Sequence, residues 1–415
     1  MPNTLKSALV RPWNGELYWP ALAPQLNFLA RRIPSPDRWV IAVALPGARR
    51  LSMEQALDGG GWAFGHVAYE WSGGVEHATG RHPDTLGFGD HGWWEPQVVI
   101  ELGQEQAVLH TSPAHMAEGT ALLETFVMQH TPPSAPIEAA WERTTSRDRY
   151  RAGVGRLMGH IQRGDIYEVN YCTERHAHLP GFDPFRAFAA LSERSAAPYA
   201  GFYRVGPLFA LCASPERYLQ WAGQRVLSEP MKGTRPRDPD PVRDAELAAV
   251  LAADPKERSE NVMALDVARH DLSRIAASGS VKVEELCGVR SYPAVHQMVS
   301  SVSATKRNDV TWHQVLRATF PMASMTGAPK RRAMQLIDEV EDGRRGLFSG
   351  TLGLVWPDGR ADLNVVIRTL MYDADSGRAS LISGGAITAA SDPLAEWEEC
   401  ELKARSVIQA LGHAE

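Results

Sequence analysis

The chain has 415 residues, 44% hydrophobic and 22% charged, the composition of a soluble globular protein able to bury a sizeable core. A net charge of −6 leaves no basic footprint for nucleic acid, and no stretch carries the roughly 18 apolar residues that a membrane span needs. Four cysteines without paired spacing and a start, Met1 to Val10, that lacks the apolar run of a signal peptide point to a cytoplasmic protein with reduced thiols.

Residues 1–130 are rich in tryptophan and short apolar runs. Trp39 to Leu45 reads as a buried strand. Gly65 to Trp71 is a second strand-like piece that ends in Glu70 and an aromatic. Ala117 to Gln129 looks helical. Thr131 to Pro136 holds three prolines, which cannot continue a helix, so the chain is divided there into 1–135 and 136–415.

Ser146 reads as an N-cap for a helix through Tyr150, Val154, Leu157 and Ile161, which Gly164 ends. Ile166 to Leu179 alternates as a strand, with Tyr167, Val169 and Tyr171 on one face and Glu168, Asn170 and Cys172 on the other. Leu208 to Ala213 and Arg225 to Leu227 read as strands, and Glu216 lies in the turn between them. Lys232 follows the second, just before Gly233, which leaves the backbone free to aim its ammonium inward. Two helices follow, Asp240 to Ala253 and Glu257 to Ile275, the latter with an apolar stripe of Val262, Leu265, Leu272 and Ile275. Glu260 sits near the start of the second, where a carboxylate also suits the helix dipole.

Beyond Ser291 to Ser300, a block that contains His296, comes Phe320 to Lys330, with Pro329 opening a helix through Leu336 and Val340. Leu347 to Trp356 and Ala361 to Tyr372 are predicted strands joined at Asp358-Gly359. Arg368 interrupts the apolar run of the latter, and a buried arginine there needs an anionic partner, either an internal carboxylate or a ligand. Ser383 to Thr388 is glycine-rich and reads as a turn. A last helix from Asp392-Pro393 carries Glu396, Glu399 and Lys403 on one stripe, which by itself suits a solvated Glu-to-Lys pair.

The order of these blocks from about Asp165 to Lys403 resembles the chorismate-utilising enzymes: anthranilate synthase component I, aminodeoxychorismate synthase component I, isochorismate synthase and salicylate synthase. The resemblance implies an α/β (α+β) fold, an intertwined two-layer β-sandwich with helices outside and a chorismate site between the layers. Lys232 is similar to the lysine of the aminodeoxychorismate branch, where anthranilate synthases usually carry alanine. The water-adding members place a lysine base at position 168 and the ammonia-adding members usually a glutamine; this chain has Glu168. Met322-Ala323 replaces a glycine pair, and Ala386 replaces a third glycine.

By that resemblance, Lys232, Glu216 and His296 are the catalytic candidates. Glu216 would protonate the departing C4 hydroxyl, with its pKa raised by burial. Lys232 would attack C2 in its neutral form, its pKa lowered by burial and by nearby cations such as Arg235. Substrate carboxylates would be held by Thr326 and Gly327, by Arg368, by Gly384, Gly385 and Ala386, and by Lys403. Glu260 and Glu399 would hold Mg²⁺. No cysteine lies in a glutaminase setting, so ammonia would come from a separate glutamine amidotransferase subunit or from solution. An anthranilate synthase component, a water-adding isochorismate or salicylate synthase, and a non-catalytic chorismate binder stay open as alternatives.

Overall fold

A computed structural model describes residues 5–13, 17–34, 36–74, 81–128, 131, 139–293 and 295–411. The division near residue 135 and most of the proline-rich linker lie outside the described residues.

Two antiparallel sheets, one of twelve strands and one of ten, form the body of the molecule. The first runs from Lys6–Pro12 through Asn27–Pro34, then Gly201–Val205, Leu208–Cys212, Thr369–Asp373, Arg378–Ile387 and Glu168–His178. The second runs from Met231–Pro236 through Val295–Thr305, Arg217–Ala222, Ala361–Asn364 and Thr351–Val355 to Ala63–Val67 and His91–Trp94. Each sheet therefore mixes strands from both sides of residue 135. Glu70, beyond Ala63–Val67, is tied to the far part of the chain by accepting hydrogen bonds from the Arg345 and Gly346 amides.

The main core lies between the layers. Leu29, Val40 and Tyr203 of the first sheet meet Phe64, Trp93, Leu352 and Leu363 of the second. Helices Met116–Met128, Pro184–Ser195 and Pro393–Ala410 cover the outer face of the first sheet, over Phe28, Ile41, Phe202 and Leu381. This is the expected two-layer sandwich with helices outside.

Local chemistry sets the element ends. Ser146 caps Arg147–Gln162 by accepting the Arg149 amide, and Asp392 caps Pro393–Ala410 with Pro393 in its first turn. Among the expected apolar stripe, Leu265, Leu272 and Ile275 are buried but Val262 is exposed. One predicted strand divides. Ala361–Asn364 belongs to the second sheet and Thr369–Asp373 to the first. The chain crosses between layers at 365–368, and Arg368 takes a left-handed φ of 51° there. The Ser383–Thr388 turn is also corrected: Gly384, Gly385 and Ala386 are strand residues paired with Cys172, Tyr171 and Asn170. At Met322 the backbone is extended, φ −64°, so no glycine is needed there.

Candidate active site

A cavity of about 800 Å³ opens between one end of each sheet, within the roughly 300–1,000 Å³ of small-molecule sites. Strands Glu168–His178, Arg378–Ile387, Met231–Pro236 and Val295–Thr305 and helices Pro255–Ser273 and Pro393–Ala410 supply its walls.

Lys232 reaches the cavity from strand Met231–Pro236. The register of that strand shifts between Lys232 and Thr234, across Gly233 at φ 77°, a bulge that brings both side chains to the cavity. Lys232 Nζ donates to Glu168 Oε1 at 2.7 Å, and both side chains are almost fully buried. The expected environment of Lys232 is corrected here. Burial alone would lower its pKa, but Glu168, Glu260 and Glu216 outweigh burial and hold it above the ordinary lysine value. Arg235, expected to act as the neighbouring cation, is instead paired with Asp254 at 2.8 Å and with Glu257.

Glu216 lies between Leu208–Cys212 and Arg217–Ala222 and is 3% exposed. Burial pushes its pKa up to about 7, against the pull of Ser324, Lys232 and Arg368. A carboxyl near that value can serve as an acid at neutral pH. Arg368 also lines the cavity. Among the described residues its guanidinium has no ion-pair or hydrogen-bond partner, and burial lowers its pKa from the usual value. Its internal counter-charge is the Glu216 carboxyl, with which it makes no hydrogen bond among the described residues, and this leaves a forked cation open to an anionic ligand.

Gly384 is required by close approach, while Gly385 abuts the end of the Glu396 side chain. A Cβ at Gly384 would lie 2.4 Å from Cys172 Sγ, and one at Gly385 would lie 3.1 Å from Glu396 Oε2. Lys403 donates to the Gly384 carbonyl at 2.9 Å and pairs with Glu399 at 2.6 Å. The candidate metal ligands face the same space. Glu260 is 7% exposed and its Oε1 is buried without a hydrogen-bond partner; burial raises its pKa to about 7. Glu396 is 2% exposed and faces Gly385 together with Glu399. Among the described residues no three acidic, cysteine or histidine side chains already converge on one point. Mg²⁺ takes only one or two protein carboxylates besides substrate oxygens and water, so an unsatisfied Glu260 opposite Glu396 and Glu399 fits it.

Three expected site residues stand elsewhere. His296 is 1% exposed and faces away from the cavity, where it bonds Ser291 at 2.8 Å and Asp244 at 2.9 Å. Its neighbour Gln297 lines the cavity instead, because alternate residues of a strand face opposite ways. Gln297 Nε2 donates to Thr234 and its Oε1 is buried without a partner. Thr326 is fully buried, its hydroxyl spent on the Met322 and Ala323 carbonyls. Gly327 and Ala328 pair with Val169 and Glu168 as a short strand, so neither Thr326 nor Gly327 offers a free cradle to a carboxylate. Lys330 is consumed by Asp271 and by the Thr319 and Pro321 carbonyls. Reading the sequence missed Gln297 and Lys256; the alternation of strand Val295–Thr305 was the signal for the first.

The model of the chorismate binding enzyme family matches residues 38–409. An aminodeoxychorismate synthase of Streptomyces griseus is 41% identical over 285 residues, 68% of this chain but 39% of that protein. The chain thus spans about two fifths of that curated relative. Anthranilate synthase component 1 of Thermus thermophilus is 34% identical over 364 residues, 86% of this chain and 78% of that protein. The solved menaquinone-specific isochorismate synthase of Escherichia coli superposes with a TM-score of 0.77 at 17% identity, covering 100% of this chain and 96% of that one. With the family model spanning most of the length and the sandwich shared, the chain belongs to the chorismate binding enzymes.

Proposed function

We propose that the chain is an aminodeoxychorismate synthase component I, which converts chorismate and ammonia to 4-amino-4-deoxychorismate in the cytoplasm. The observation that carries this reading is the set of groups in one cavity: an Arg368 guanidinium with no hydrogen-bond partner among the described residues, a Glu216 carboxyl near neutrality and Lys232. A dianion with a poor hydroxyl leaving group needs such groups together. Arg368 holds one carboxylate of chorismate, bidentately. Lys403 and the Gly384–Gly385 strand line the other side. Glu260 with Glu399 or Glu396 would hold Mg²⁺, and the ion would supply Lewis-acid neutralisation of a substrate carboxylate.

Lys232 begins as an ammonium paired with Glu168. Transfer of its proton to Glu168, 2.7 Å away, frees the lone pair. The amine then bonds to C2 as both ring double bonds shift, C1=C2 to C1=C6 and C5=C6 to C4=C5, and the C4–O bond breaks with Glu216 delivering the proton that makes water. Ammonia adds at C4, the double bonds return and Lys232 leaves. The alternative of water addition is disfavoured because Glu168, where a lysine base would stand, is engaged by Lys232. Support for C4 over C2 comes from Lys232. Ammonia comes from a separate glutamine amidotransferase subunit. Mass identification of the product from chorismate, Mg²⁺ and an ammonium salt tests the reading. Aminodeoxychorismate supports it; anthranilate, isochorismate or no turnover overturns it.

A further inference from the structure

One cation of the cavity is unused by this chemistry. Lys256 stands in the first turn of helix Pro255–Ser273, one turn before Glu260. Its Nζ lies 3.8 Å from Glu260 Oε1 and 3.5 Å from Glu396 Oε1, so it bridges carboxylates from two different helices. The two glutamate side chains, taken apart from their backbone, are 9% and 3% exposed, while the lysine side chain is 45% exposed. At these distances the ammonium offsets part of the pair's charge, alongside Lys232 at Glu260 and the Ser391 hydroxyl donating to Glu396 Oε1 at 2.8 Å, and Glu260 Oε1 keeps no hydrogen-bond partner. A divalent ion bound about 2.0–2.1 Å from such oxygens would lie within about 6 Å of the ammonium, a like charge. The lysine has a flexible four-carbon stem and an open path to water.

We infer that Lys256 is the resident counter-cation of the unloaded carboxylate site, and that a divalent metal binds by displacing its ammonium into solvent. The inference rests on the reading of Glu260 and Glu396 as metal-facing groups. Lys256 thereby sets metal affinity and keeps two buried carboxylates tolerable before the metal arrives.

Mn²⁺ serves as the probe, titrated by electron paramagnetic resonance without substrate. Lys256→Met should tighten the Mn²⁺ Kd by about fivefold or more, since a like charge within the roughly 8–10 Å screening length is lost, and Lys256→Arg should stay near the wild type. Acetic anhydride labelling of Lys256, read by mass spectrometry, should rise when Mg²⁺ is added. Lys256→Met should also melt below the wild type in EDTA, with the gap closing in saturating Mg²⁺. An unchanged or weaker Mn²⁺ Kd in a folded Lys256→Met protein overturns the inference, as does labelling that ignores Mg²⁺. A wild type that binds no Mn²⁺, or a Glu260→Gln variant that binds it equally well, overturns the metal reading itself and the inference with it.

Discussion

At the scale of single residues, the Lys232–Glu168 pair decides most. Lys232→Ala opens C2 while Glu216 and Arg368 remain, so amination at C4 should slow by about a hundredfold or more, the scale of losing one catalytic group. Residual product should be substituted at C2, identified by mass and chromatography. The same change strands a buried Glu168 carboxylate, a loss of about 3–5 kcal/mol. The double variant Lys232→Ala/Glu168→Gln should recover the melting temperature but not the C4 product. Glu216 carries the pH dependence. Its reaction needs the protonated carboxyl, so with a pKa of about 7, kcat/KM should fall as pH rises through 7. Glu216→Gln should be slower by about 10²–10⁴-fold and lack that limb. In stability the sign is the same. The folded pKa exceeds the ordinary carboxyl value of 4.5, so stability from this group is present below about 4.5 and is lost as pH rises through about 7. A pH series of melting temperatures should show less of that loss in Glu216→Gln. The proposed roles rest on residue type in motif order. The protonation of Lys232 was not legible there, because it depends on Glu168, Glu260 and Glu216, which are distant in sequence.

At the scale of elements, the glycine strand Arg378–Ile387 holds the site by closeness. Gly384→Ala would place Cβ 2.4 Å from Cys172 Sγ and 2.6 Å from the Tyr171 carbonyl. Overpacking against backbone should cost roughly 1–3 kcal/mol, read as a lower melting temperature, and should displace the Lys403 contact at the Gly384 carbonyl. The KM for chorismate should rise as a result. The glycines were legible in the sequence, but their reading as a turn was not right. A short glycine run has one appearance in a turn and in a strand crowded by its neighbour; only the pairing with Glu168–His178 tells them apart. The same limit explains His296 and Gln297. Adjacent residues of a strand face opposite sides, and nothing local says which face the cavity takes.

At the scale of the whole molecule, the two sheets share strands from the whole length, and Met231–Pro236 and Glu168–His178 bring Lys232 and Glu168 together from opposite layers. All four cysteines are buried and unpaired, and among the described residues no helix is long and apolar enough to cross a membrane. No buried cysteine offers a glutaminase nucleophile. The purified chain should therefore form product with an ammonium salt and not with glutamine; glutamine-dependent product from the isolated chain would show the proposed subunit division to be wrong.

The sequence alone was enough for what repeats locally or rides on residue type: the caps at Ser146 and Asp392, the amphipathic helices, the alternation of 168–178, the cationic and acidic groups of the site, and the family. Tertiary structure decided which of them meet. It turned His296 outward and Gln297 inward, closed Thr326 and Gly327 into the sheet, placed Arg368 at the crossover with no hydrogen-bond partner among the described residues, and set Lys256 between Glu260 and Glu396. The reason is physical: side-chain facing, burial and charge pairing are fixed by contacts between layers, and those contacts join residues up to hundreds of positions apart.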